Sequence, residues 1–104
     1  MKQIAFGTLI AIISLTTTAP SVLAAGKIHR ACMSSDRPAA NRRLCSCIQD
    51  AADMVLTNRD QALAAKFFRD PQMAQDIRQS DRASHEAFWQ RYKSFGKAAQ
   101  AFCR

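Results

Sequence analysis

Four cysteines, Cys32, Cys45, Cys47 and Cys103, are the most chemically versatile residues in this sequence. Thiols so placed can exchange with other thiols, bind a soft metal or form disulfides, and their spacing discriminates among the three. Thiol exchange calls for Cys-x-x-Cys at a helix N-terminus, where the thiolate is stabilised, whereas the pair here is Cys45-x-Cys47. A Cu(I) or Zn site would take both of those thiolates, with His29, Met33 or Met54 completing the ligands. It lacks the second Cys-x-x-Cys or His pair that makes zinc spacing specific. An even number of cysteines in an exported chain points instead to two disulfides, and neither a metal nor another cofactor is expected. On a helix, Cys45 and Cys47 lie about 200° apart around the axis and cannot bond to each other without unwinding that turn. Each therefore pairs outward. Cys32–Cys45 with Cys47–Cys103 is favoured, and the swapped pairing is its close rival.

Charge is the second feature. Lys and Arg number 15 against 8 Asp and Glu, a formal charge of +7. Lys93, Lys97 and Arg104 share the polar face of the last helix, Arg91 lies at its margin, and Arg42 and Arg43 could extend the stripe. A stripe of this kind suits an anionic envelope component or an acidic protein partner. Trp89, at the edge of the same helix's apolar face, is either a rim residue of the core or an anchor for that partner. Nucleic acid is not expected, because the aromatics recur at helical core spacing and not on a stacking platform. His29 and His85 have no serine or cysteine at motif spacing. Glu86 is the only glutamate, and the aspartates fall mostly at helix starts or on polar faces. No catalytic constellation is legible, so the chain reads as a non-enzyme.

The elements that position these residues follow from periodicity. Hydrophobic residues make up 48% and charged residues 22% of 104 residues, which suits one folded domain and excludes a disordered chain. Residues 1–24 read as a cleaved secretory signal: Lys2 precedes an apolar run from Ile4 to Leu15, and Val22-Leu23-Ala24 ends in a small residue. Thr16–Thr18 and Pro20 interrupt the run, so stable membrane insertion is not expected after cleavage. Removal of this segment takes Lys2 with it and leaves a periplasmic or secreted product with a formal charge of +6. Residues 25–36 read as a short, partly ordered arm, and residues 37–104 as a helical domain.

Within that domain, Ser35 to Pro38 resembles a helix start. The first helix then runs to about Leu56, with Leu44, Ile48, Ala51, Ala52 and Val55 inward and Arg42, Gln49 and Asp53 opposite. Thr57 or Asn58 caps the second helix, which carries Leu63, Ala64, Phe67 and Phe68 and ends near Arg69. Asp70-Pro71 opens a third, with Met73, Ala74 and Ile77, ending near Gln79. Ser80, Asp81 and Ser84 compete to cap the fourth, along which Phe88, Tyr92, Phe95, Ala99 and Phe102 form one stripe. Gly96 inside it implies a close helix contact. The expected class is all-α, a small disulfide-linked domain of four helices.

Several stretches together resemble a family of small exported alphaproteobacterial proteins often labelled "arginine transporter". They are Ala31-Cys32-Met33, Leu44 to Gln49, Phe67-Phe68-Arg69-Asp70-Pro71, Arg78-Gln79-Ser80-Asp81, Phe88-Trp89 and Phe95-Gly96. The resemblance implies a helical, disulfide-linked fold and an accessory role in basic amino-acid transport. From the residues alone the expectation is a binding or accessory module with a basic surface. A Cu or Zn handler using the Cys-x-Cys pair is a third reading.

Overall fold

A computed structural model describes residues 26–103, and the signal-like segment and Arg104 lie outside them. The described residues form five helices and no strand: α1 (Lys27–Met33), α2 (Arg42–Val55), α3 (Asn58–Phe67), α4 (Pro71–Arg78) and α5 (Ala83–Phe102). The all-α class and the disulfide links are as expected, but five helices stand where four were expected. The extra one is α1, in the stretch read as an arm. Its Ile28 is completely buried and belongs to the core, and its Cys32 is buried as well. Seven residues are too few to hold a helix by backbone bonds alone. Tertiary burial and a crosslink hold this one, which is why periodicity over so short a stretch does not reveal it.

After α1 the chain reverses. Ser35 to Pro38 does not open a helix, because residues 34–41 make the turn that brings α2 back along α1. Asn41 caps α2, its Oδ1 accepting from the Leu44 N–H at 2.8 Å. The rest of the punctuation lies close to expectation. Thr57 and Asp60 form a reciprocal capping box on α3, and Pro71 begins α4. None of the three caps expected for α5 takes the N-cap position, which falls on Arg82. Ser80 instead accepts the Arg82 N–H at 3.3 Å and lies 2.7 Å from His85 Nδ1.

Helix α2 packs against both α1 and α5, α3 against α1, α4 and α5, and α5 closes the other side. The core joins Ile28, Ala51, Ala52, Leu56, Ala64, Phe67, Ile77, Phe88 and Phe95. Tyr92 stands at its aromatic centre, with ring centroids 5.2 Å from Phe67, 5.7 Å from Phe88, 5.1 Å from Trp89 and 5.8 Å from Phe95. Burial there pushes its hydroxyl pKa up.

Three expectations about faces are corrected. Gln49 is buried, because α1 covers that side of α2. Its amide is satisfied there, with Oε1 accepting from the His29 N–H at 2.9 Å and Nε2 donating to Asp53 and Gln61, both at 2.8 Å. Phe102 leaves the stripe and is 70% exposed, on the rim of a hollow beside the start of α2. A Cβ added at Gly96 would meet nothing within 4 Å, so this glycine marks open space and not a close contact.

Candidate anion-binding surfaces

The disulfides are Cys32–Cys45, with Cα atoms 5.6 Å apart, and Cys47–Cys103, at 5.7 Å. This is the favoured pairing, and it ties α1 and the end of α5 to different flanks of α2. Both sulfurs of the Cys-x-Cys pair are thereby committed. Neither remains as a thiolate for Cu(I) or Zn.

The described residues expected to form a basic stripe lie on α2 and α5. Lys93 and Lys97 are exposed on α5, and Arg42 and Arg43 are exposed at the start of α2. Arg43 lines a hollow of about 570 Å³ beside the Cys47–Cys103 bond, bordered by Leu44 and Phe102. Trp89 is half-buried against Tyr92, in keeping with a rim position on the core. Arg104 lies outside the described residues. Arg91 is spoken for. Its Nε and Nη2 donate to Asp60 Oδ2 and Oδ1 at 2.7 and 2.9 Å, a two-pronged pair across α3 and α5. Asp60 is itself buried, and the Arg91 guanidinium holds its carboxyl below the usual range despite the opposing effect of burial. Asp60 also accepts from the Thr57 backbone N–H, so one carboxylate both caps α3 and fastens α5 to it.

A denser gathering of positive charge lies elsewhere. Lys27, Arg30, Ala31 and Ser34 fall at i, i+3, i+4 and i+7 and so share one face of α1 and its C-cap. Ala62, Ala65, Lys66 and Arg69 repeat the same spacing on α3 and just beyond its end. The two stripes line a groove of about 370 Å³, in which small alanine side chains leave space between the helices. Among its described lining residues are four cations and no Asp or Glu. Lys27, Lys66 and Arg69 have no hydrogen-bonded or ion-paired side-chain partner among the described residues.

The sequence does carry a signal for this groove: two cation-x-x-cation pairs, each with alanine at helical spacing. It goes unread because Lys27 and Arg30 sit in the presumed arm, and because nothing local says that α1 lies against α3.

The chain matches no family model, no curated protein and no solved structure. The groove's chemistry must therefore speak for itself. Four positive charges around an open hollow attract anions and repel cations, and guanidinium and ammonium groups suit phosphate, sulfate and carboxylate oxygens. Among the described residues no helix is long and apolar enough to cross a membrane.

Proposed function

We propose that this chain is an exported, non-enzymatic binding or accessory module whose basic surface meets an anionic envelope component or an acidic partner protein. The observation that carries the reading is the groove between α1 and α3, lined by Lys27, Arg30, Lys66 and Arg69 without a lining carboxylate among the described residues. Export rests on the signal-like residues 1–24. Two disulfides support it, since such bonds persist in the periplasm or outside the cell. The resemblance to proteins labelled as arginine transporters suggests an accessory role in arginine uptake. A groove of this charge favours an anion over the cationic guanidinium of arginine.

The test is a pull-down from periplasmic and membrane fractions at low and high salt. Salt-sensitive capture, weakened by Lys66→Glu with Arg69→Glu, is the expected result. No partner at low salt, together with measurable arginine or metal binding, overturns the reading. Intact mass decides the export component: the secreted protein should begin at Ala25 or Gly26, and retention of residues 1–24 in a membrane fraction would contradict it.

A further inference from the structure

We propose that the groove between α1 and α3 is a binding site for a phosphorylated ligand carrying at least two negative charges, held by Lys27, Arg30, Lys66 and Arg69. This deepens the binding-module reading and rests on it.

The positions of the cations are the first argument. Arg30 and Lys66 lie in the last turns of α1 and α3, where a cation is favoured by the partial negative charge of a helix C-terminus. Helix stability alone thus accounts for those two. It does not account for Lys27, which occupies the first position of α1, where the N-terminal partial charge is positive and a cation is disfavoured. Arg69, just past the end of α3, still faces that helix's C-terminal partial charge. Lys27 nevertheless lines the same hollow as the other three cations. A fold that concentrates like charge against local preference bears a cost that an anionic ligand would remove.

The second argument is size and stoichiometry. A hollow of about 370 Å³ is within the range of small-ligand pockets, which begins at about 300 Å³. It suits a phosphorylated group with a small organic body. Lys27, Lys66 and Arg69, which have no side-chain partner among the described residues, bring three positive charges that one carboxylate would leave mostly unbalanced, whereas a phosphomonoester or pyrophosphate brings two or more charges and several acceptor oxygens. Arginine meets such oxygens in pairs through its planar fork, and lysine adds point charges. The alanine methyls between the cations give the floor an apolar patch for the ligand's carbon skeleton.

The experiment uses protein purified after export from cells expressing the full chain, in about 150 mM salt, where long-range attraction between exposed charges is largely screened. One arm titrates inorganic pyrophosphate and follows backbone amide shifts. The other measures binding to phosphatidylcholine vesicles with and without phosphatidic acid, whose headgroup is a phosphomonoester. Saturable shifts centred on residues 27–34 and 62–69 are expected. Lys66→Glu with Arg69→Glu should weaken binding by about tenfold or more, as removing charged partners commonly does. Lys66→Gln with Arg69→Gln is the milder companion, and circular dichroism checks that both variants fold. Lys93→Glu with Lys97→Glu should leave affinity within about twofold, because those residues lie outside the groove. Binding in the pyrophosphate arm alone identifies a soluble phosphate, and variant-sensitive vesicle binding identifies a lipid headgroup; both support the site. Equal losses from the two charge-reversed pairs, shifts centred on α5, or no binding in either arm overturn it. If both arms fail while the low-salt pull-down still recovers a partner, the groove site falls and the broader module reading stands. If the pull-down fails as well, both fall.

Discussion

Two residues whose roles are invisible in composition, Asp60 and Gln49, show how much single side chains decide in a small core. Asp60 carries its charge while buried, because Arg91 donates to it twice and Thr57 once. Its folded-state pKa lies below the unfolded value of about 4, so its contribution is fully present above that pH and lost as pH falls through the lower folded pKa. Thermal unfolding followed from pH 7 downward should therefore show a loss of stability beginning below about pH 4. Arg91→Gln should lower stability at pH 7 and flatten or reverse the acid loss, since Asp60 would then be buried without its cation. An unchanged acid limb in this variant would assign the loss to other carboxylates. Gln49 makes a different demand. A Cβ at Gly26 would overlap its side-chain amide, which is held by His29, Asp53 and Gln61. Gly26→Ala should cost about 1–3 kcal/mol by displacing that amide from its partners. In a Gln49→Ala background the same change should be nearly neutral, and denaturant unfolding of the four proteins closes the cycle.

At the level of the helices, termini and interiors follow local rules wherever tertiary contacts do not intervene. Thr57→Ala removes the side-chain half of the α3 capping box and should cost about 1 kcal/mol, read as a lower urea midpoint at unchanged slope. Gly96 lies within α5, at negative φ and with open space around its missing Cβ. Gly96→Ala should accordingly stabilise the protein by about 0.5–1 kcal/mol. A destabilised variant would mean that a partner or a second copy occupies the space beside it. The start of α2 shows the opposite case. The Ser35–Pro38 signal is a sound local start, but it yields to a turn because Cys32 must reach Cys45 and α1 must lie along α2.

Across the whole molecule, the crosslinks compensate for a small core. With Cys32 and Cys45 separated by 13 residues and Cys47 and Cys103 by 56, the chain-entropy model assigns the bonds about 3 and 4 kcal/mol. Domains of this size are only a few kcal/mol stable in total. The double variant Cys47→Ser, Cys103→Ser should thus lose much of its thermal stability, and more than Cys32→Ser, Cys45→Ser. Equal melting temperatures for the first variant and the native protein would remove the longer bond's structural role. Non-reducing peptide mapping should recover both pairs and no free thiol.

What the sequence by itself determined was everything that depends on neighbours within a turn or two. The all-α class, the capping of α3, Pro71 at the head of α4, the aromatic stripe of α5 and the outward pairing of Cys45 and Cys47 all follow from spacing and side-chain type. Tertiary structure decided the rest, because it depends on which surfaces meet. It made a helix of residues 27–33, turned Gln49 inward, committed Arg91 to Asp60 and exposed Phe102. It also placed Lys27 and Arg30 across a hollow from Lys66 and Arg69. Those pairs lie more than thirty residues apart, and local periodicity carries no information about partners at that distance; only the packing of α1 on α3 turns two ordinary cation pairs into one site.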